Sequence, residues 1–143
     1  MTFREALERC FDGAFSFSGR APRPEFWWFV LFWVMTYQTI LIVSALSLPI
    51  WLGEFLLAAF SVAMMPPLVA VAFRRLQDTG RTGWLALTPI FGAVVVSGGK
   101  LAELGEVVFV GRSMMVGIVL VLLYWLGQPG MRRANAFGPP YRG

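Results

Sequence analysis

The chain contains no histidine, and its single cysteine is Cys10. Histidine is the commonest general base in enzymes, a frequent zinc ligand and the usual partner of a serine or cysteine nucleophile. A lone cysteine forms neither an intramolecular disulfide nor a cysteine metal cluster. These absences argue against acid–base, nucleophilic and metal-assisted chemistry, so we expect a protein that is not an enzyme and that holds no metal and no cofactor.

Charge is also scarce. Charged residues make up 14% of the 143-residue chain and hydrophobic residues 57%, whereas roughly 25% of a typical soluble domain is charged. The length is that of one domain. This balance excludes an ordinary soluble protein and indicates that most of the chain lies in a bilayer.

Four apolar segments are long enough to cross a membrane. The first, residues 26–48, has 23 residues without a charge, and as a helix it would reach about 34 Å, more than the roughly 30 Å of the hydrocarbon layer. The others are residues 54–73, 83–99 and 107–127. The sequence therefore predicts an all-α membrane protein with four transmembrane helices, in a single multi-pass domain that covers residues 1–143.

The third and fourth spans carry one irregularity each. Pro89 removes a backbone donor and presses on the carbonyl of Leu85, which predicts a kink in the third span. The fourth span must include Arg112 if it begins at residue 107, and is only 15 residues long if it begins at residue 113. We adopt the longer interpretation, since an arginine near a helix end can extend its charge to the headgroups.

The distribution of arginine predicts the orientation. Ten basic residues precede the first span, separate the second from the third, or follow the fourth, whereas Lys100 and Arg112 lie on the opposite side. Cytoplasmic loops are enriched in lysine and arginine, so both termini are expected in the cytoplasm. The ten are Arg4, Arg9, Arg20, Arg23, Arg74, Arg75, Arg81, Arg132, Arg133 and Arg142.

The segment before the first span predicts a short amphipathic helix. Thr2 and Glu5 have the spacing of a capping box, and an apolar face recurs at helical intervals. Such a helix would lie along the inner membrane surface; the alternative is a frayed cytoplasmic tail. The first apolar run begins only at Phe26 and is too long for a cleaved signal peptide, so we expect it in the mature protein. The apolar face comprises Phe3, Leu7, Cys10 and Phe11.

Three motifs lie in the predicted cytoplasmic segments. The first approaches the first span through Gly19-Arg20, Arg23, Glu25 and Phe26-Trp27. The second is Arg74-Arg75-Leu76-Gln77-Asp78-Thr79-Gly80-Arg81-Thr82-Gly83-Trp84, and the third is Asn135-Ala136-Phe137-Gly138-Pro139. Together they resemble the domain of unknown function 805 family, the YhaH-like proteins, over nearly the whole chain. The resemblance implies a multi-pass protein of the bacterial inner membrane without an established activity.

The chain departs from this family at Gln77, where the signature usually has histidine, and in residues 97–112, which are longer than expected. If that histidine carries proton chemistry in relatives, this chain lacks it.

The motifs define a candidate site on the predicted cytoplasmic side. In one interpretation Glu25 and Asp78 pair with arginines and tie the first, second and fourth spans together, with Arg75 and Asp78 as the central members. In the other, surplus arginines bind anionic headgroups or a phosphorylated ligand, because guanidinium groups match phosphate oxygens. The candidate residues are Arg20, Arg23, Glu25, Arg74, Arg75, Asp78, Arg81 and Asn135.

The sequence thus predicts a non-enzymatic membrane protein whose partners are membrane lipids, anionic phospholipid among them, and not nucleic acid. Two other functions stay open: a scaffold that docks an acidic partner, and a subunit of an oligomeric transporter or channel for lipids or small solutes. Four spans enclose little space, so transport would require a homo-oligomer. Its path would need polar side chains such as Thr36, Gln38, Ser61 and Thr88.

Overall fold

The computed structural model describes residues 1–139, so Arg142 lies outside the described residues. Five α-helices and one 3₁₀ turn make up its regular structure, and the part described contains no strand beyond an isolated bridge between Asn135 and Gly138. The elements are α1 (Phe3–Asp12), α2 (Arg23–Ser47), α3 (Ile50–Asp78), the 3₁₀ turn (Gly83–Leu87), α4 (Thr88–Leu101) and α5 (Gly105–Gly127).

Four helical segments are long and apolar enough to cross a membrane: Arg23–Ser47, Ile50–Asp78, Gly83–Lys100 and Gly105–Gly127. The predicted all-helical class with four spans is confirmed at this level. The last segment begins two residues before the predicted start and includes Arg112, which is exposed.

Helix α1 begins with reciprocal hydrogen bonds. The Glu5 backbone N–H donates to the Thr2 hydroxyl at 3.3 Å, and the Thr2 N–H donates to the Glu5 carboxylate at 3.0 Å, which satisfies two donors that a helix start leaves open. The hydrogen bond from the Thr2 backbone N–H lowers the pKa of the Glu5 carboxyl. The Phe11 ring lies edge-on to Phe29 at a centroid distance of 5.8 Å, so α1 packs against the first turns of α2.

Helices α2 and α3 form one antiparallel hairpin, and α4 and α5 form another. In the first, α2 ends at Ser47, just before Pro49, because a residue that precedes proline disfavours helical geometry. The helices α2 and α3 approach each other closely just after this turn, since a Cβ on Gly53 would lie 2.8 Å from the Cβ of Ser44. Small residues allow helices to approach closely within a membrane.

The third span is interrupted near its start. The chain forms the 3₁₀ turn over Gly83–Leu87 and becomes α-helical only at Thr88, with Pro89 in the first turn of α4. The missing N–H of proline costs nothing at that position, because the first helical donors have no partner within the helix. Pro89 therefore starts a helix instead of bending one.

The buried core lies at one end of the bundle. Its members come from α1, the start of α2, the end of α3 and the end of α5, and they include Cys10, Phe29, Leu76 and Leu126. Large apolar side chains elsewhere on the four long helices are widely exposed. A soluble protein rarely exposes so much contiguous apolar surface, and lipid would cover it in a membrane.

Candidate functional site

The N-terminal end of α2 and the C-terminal ends of α3 and α5 meet at a single place, which we call the arginine end. The loop before α2 brings Arg20, the first turn of α2 brings Arg23 and Glu25, and the last turns of α3 bring Arg74, Arg75 and Asp78. Residues 128–138, which follow α5, complete it. Seven of the eight predicted site residues lie here, and the eighth, Arg81, lies apart from them against Trp125.

Asp78 binds two arginines. The Arg20 Nε donates to Oδ1 at 2.7 Å, and the Arg75 Nη1 donates to Oδ2. The exposed fractions of the side chains are 3% for Arg20, 1% for Arg75 and 7% for Asp78. Charges this far from water are tolerated only when they are paired and hydrogen-bonded, and the two guanidinium groups and the carboxylate meet this requirement together.

Arg75 also caps the C-terminus of α5. Its Nε donates to the carbonyl of Leu126 at 3.0 Å and its Nη2 donates to that of Gln128. The last carbonyls of a helix have no partner within the helix, and they carry partial negative charge. Arg75 supplies both hydrogen bonds and a positive charge at this end, so it holds α5 against α3.

Arg23, in the first turn of α2, also caps the C-terminus of α5. Its Nε donates to the Gln128 carbonyl at 3.0 Å, and its Nη2 donates to the Gly127 carbonyl. The end of α5 is therefore bound by arginines from two different helices. Only the C-terminus of a helix offers such a set of unpaired carbonyls.

The segment after α5 is held onto the end of α3. The Met131 N–H donates to the Asp78 backbone carbonyl at 2.9 Å, and the Asn135 Nδ2 donates to the Gln77 carbonyl at 2.8 Å. Arg20 adds hydrogen bonds to the carbonyls of Met131 and Arg133. A Cβ on Gly130 would collide with the Asp78 carboxylate, so this approach requires glycine.

Glu25 forms a second ion-pair group. Its fully buried carboxylate lies 3.2 Å from the Arg9 Nε and 3.0 Å from the Arg74 Nη1. Arg9 belongs to α1 and Arg74 to α3, so this carboxylate of α2 joins three helices. The sequence analysis did not include Arg9 in the site, because nothing in the local pattern of α1 marks it as the partner of a carboxylate 16 residues away.

Cys10 lies beside this group, and its thiol donates to the Glu25 backbone carbonyl at 3.7 Å. Burial raises the pKa of the thiol to about 12. Since the thiolate is the nucleophilic form, Cys10 is a packed core residue at neutral pH. Among residues 1–139, no group of three or more histidine, cysteine or acidic side chains could hold a metal ion.

Gln77 stands where the central signature usually has histidine. Its side chain is buried, and its Nε2 donates to the carbonyl of Phe17 at 3.0 Å. The amide thus holds the segment before α2 against α3. The contact needs a donor and no proton transfer, so glutamine is sufficient for it.

Positive charge exceeds negative charge at the arginine end. Five arginines, namely Arg9, Arg20, Arg23, Arg74 and Arg75, lie near three carboxylates, those of Asp12, Glu25 and Asp78, which leaves an excess of two positive charges. Arg132 and Arg133 add exposed guanidinium groups. A cavity of about 300 Å³ opens here, and Arg23, Arg75, Asp78 and Arg132 contribute to its walls.

Arg81 occupies a different position. Its guanidinium carbon lies 5.0 Å from the centroid of the Trp125 ring of α5, a cation–π distance. Within residues 1–139 no carboxylate lies within ion-pair distance of it. Arg81 and Arg23 are therefore the predicted site arginines that form no ion pair in the described residues, and of the two only Arg23 binds the carbonyls at the end of α5.

Four helical segments of membrane-spanning length, the first two of them linked by buried arginine–carboxylate pairs, define a multi-pass integral membrane protein. The chain belongs to the family described as "Protein of unknown function (DUF805)", whose model matches residues 14–139. That range contains all three motifs and leaves out α1, and with it Arg9.

Two relatives from Escherichia coli (strain K12) are similar to the chain. "Inner membrane protein YhaI" is 38% identical over 86 residues, which are 56% of this chain and 69% of that protein. "Inner membrane protein YhaH" is 35% identical over 85 residues, which are 56% of this chain and 70% of that protein. No solved structure matches the chain.

Proposed function

We propose that this protein is a non-enzymatic component of the bacterial inner membrane that binds anionic lipid headgroups at its arginine end. The observation that carries the proposal is the excess of positive charge around the cavity, which remains after both buried carboxylates have been paired. Both E. coli relatives are named inner membrane proteins, which supports the location.

The arginines divide into two groups by what they touch. Arg20 and Arg75 are enclosed, and each of their guanidinium nitrogens donates to a carboxylate or a carbonyl of the chain. They fix the helix ends. Arg132 and Arg133 are exposed, and a basic residue near an anionic leaflet contributes about 1 kcal/mol to binding. The second group is the one that we assign to lipid.

The buried carboxylates are poor candidates for catalysis. Glu25 is fully buried, Asp78 borders the cavity, and each carboxylate oxygen of both residues already faces a guanidinium group. Their role in the proposal is to anchor guanidinium groups. The same geometry supports the interpretation in which the ion pairs of the arginine end hold the helices of the bundle together.

We do not extend the proposal to transport. The hydroxyls of Ser61 and Thr88 donate to carbonyls of their own segments, those of Leu57 and Leu85, at 2.7 Å each. These bonds use the hydroxyl protons, so the two side chains offer a polar path only the acceptor capacity of their oxygens. A homo-oligomer, like an acidic protein partner, stays an expectation from the sequence.

Loss of the exposed arginines should weaken lipid binding. In native mass spectrometry from a mild detergent, we expect the Arg132→Ala/Arg133→Ala variant to bind added phosphatidylglycerol about tenfold to thirtyfold more weakly than the unaltered protein, at about 1 kcal/mol per arginine. Phosphatidylcholine binding should stay unchanged, because that headgroup carries no net charge.

The matched control removes the same charge from the opposite end of the bundle. Lys100→Ala/Arg112→Ala lowers the net charge equally but leaves the arginine end intact. Equal loss of phosphatidylglycerol in the two double variants would refute a located site, and so would unchanged binding in the first.

We also propose that both termini lie in the cytoplasm, which supports headgroup binding in the inner leaflet. Ten of the 12 basic residues lie in the two terminal segments and in the loop between the second and third spans, and segments enriched in lysine and arginine stay cytoplasmic. A green fluorescent protein fused after residue 143 should fluoresce, and alkaline phosphatase inserted after Glu103, in the turn between α4 and α5, should be active. Active phosphatase at the C-terminus would reverse the assignment.

A further inference from the structure

A groove at the surface of the second hairpin points to a more specific ligand. We propose that one anionic phospholipid lies between the 3₁₀ turn with α4 on one side and α5 on the other, with an acyl chain in the groove and its phosphate on Arg81. The proposal rests on the proposed orientation, which puts Arg81 at the headgroup level of the inner leaflet.

The groove is apolar along its length. Its volume is about 380 Å³, with Leu85 and Thr88 on one wall and Val121 and Trp125 on the other. The Thr88 hydroxyl donates to the Leu85 carbonyl, so it requires no partner from a ligand. An alkyl chain leaves no polar group unsatisfied here, whereas a polar segment of a peptide would.

The groove is a local opening in a hairpin that is otherwise closely packed. A Cβ on Gly92 would lie 3.2 Å from Met115, and one on Gly111 would lie 3.1 Å from Val96. At Gly117, which also lines the groove, an added Cβ would meet nothing within 4 Å. The helices α4 and α5 touch where glycine allows it, and space remains where Gly117 faces the groove.

Arg81 lies at the end of this groove. Trp125 lines the groove, and the Arg81 guanidinium carbon lies over its ring, 5.0 Å from the centroid. The loop is fixed by a hydrogen bond of 3.0 Å from the Arg81 backbone N–H to the Leu76 carbonyl. A guanidinium group held by its face keeps its N–H edges available, and these edges match two oxygens of a phosphate.

Charge complementarity selects the occupant. Lipid tails are as apolar as the groove walls, so the chain alone gives little preference over any neighbouring lipid. The preference must come from the contact of the phosphate with Arg81. A second copy of the hairpin could cover the apolar walls of the groove. Every described side chain that lines the groove is uncharged, however, so the same surface of a second copy would bring no anion to Arg81.

The test combines a steric block with a charge deletion. In native mass spectrometry with added phosphatidylglycerol, Gly117→Trp fills the groove and Arg81→Ala removes the phosphate contact. Arg81→Ala should lower the occupancy of one tightly held phosphatidylglycerol by about fivefold, the change expected for one basic residue, and Gly117→Trp should lower it at least as much because it fills the space of the acyl chain. Gly98→Trp is the matched control, because a Cβ there also meets nothing within 4 Å but the position does not line the groove.

The outcomes separate this proposal from the preceding one. If Gly117→Trp and Arg81→Ala bind phosphatidylglycerol like the unaltered protein, the groove site is overturned, even when Arg132→Ala/Arg133→Ala still weakens binding. If only the groove variants lose lipid, the surface site fails and the groove stands. Glycerol 3-phosphate should not compete, since it has no chain; competition would mean an anion site without a groove. Gly117→Leu repeats the block if the tryptophan variant is not monodisperse by gel filtration.

Discussion

Replacement of Asp78 by alanine is expected to destabilise the folded protein by about 3–5 kcal/mol. The substitution leaves Arg20 and Arg75 without a carboxylate, and neither side chain is more than 3% exposed. A buried charge without a partner must either be hydrated by opening the structure or stay at a high electrostatic cost. The free energy of unfolding can be measured by denaturation with sodium dodecyl sulfate in mixed micelles.

The control for this prediction is an ion pair of equal geometry in a different environment. The Arg4 Nε lies 2.7 Å from a Glu8 carboxylate oxygen, the same distance as from the Arg20 Nε to Asp78. The side chains of Arg4 and Glu8 are 87% and 56% exposed, and water screens such a pair so that it contributes little to stability. Glu8→Ala should therefore change stability very little. Comparable losses for Glu8→Ala and Asp78→Ala would show that burial is not the cause.

The cost of breaking the cluster is not a measure of what it adds to stability. Desolvation offsets most of the attraction within a buried ion pair, and apolar replacements of whole clusters are often neutral. The arginines fix the position of the end of α5, because Arg23 and Arg75 bind the carbonyls of residues 126–128. A cluster of leucines would bury the same surface without fixing where α5 ends. We therefore interpret the cluster as a device for alignment.

The four spans were predictable because their signal is local. Some 20 consecutive apolar residues need no knowledge of the rest of the chain to indicate a membrane helix. The contact of Arg75 with Asp78, three residues apart on α3, has the same origin, since such residues are neighbours on a helix surface. The capping box of α1 belongs to this class as well.

The remaining partners of the site were not predictable from local patterns. Glu25 and Asp78 stood out as counter-charges, but which arginine meets which carboxylate depends on how α1, α2 and α3 approach each other. Arg9 pairs with Glu25 across 16 residues, and Arg75 binds the carbonyl of Leu126 across 51. Every residue has a backbone carbonyl, so a sequence does not show which carbonyls accept hydrogen bonds from arginine. The capping of α5 could therefore be found only from the structure.

Replacement of Gly83 by alanine is expected to destabilise the protein by about 1–3 kcal/mol, the range for inserting a methyl group into a packed site. Gly83 is buried, and a Cβ there would overlap the ring of Phe73. That ring has little freedom to move, because it lies edge-on to Phe17 at 5.5 Å and to Trp84 at 5.3 Å. The same denaturation experiment measures the loss.

The control predicts an effect of opposite sign. Gly98 lies inside α4 and has open space around its Cα, so Gly98→Ala should stabilise the protein by about 0.5–1 kcal/mol through helix propensity alone. Gly83 has no positive φ, which means that backbone strain does not contribute to the loss at that position. The difference in the free energy of unfolding between the two variants therefore measures the cost of the steric overlap with the Phe73 ring. If Gly83→Ala leaves stability unchanged or raises it, as Gly98→Ala is expected to do, the contact between the 3₁₀ turn and α3 is looser than these distances require.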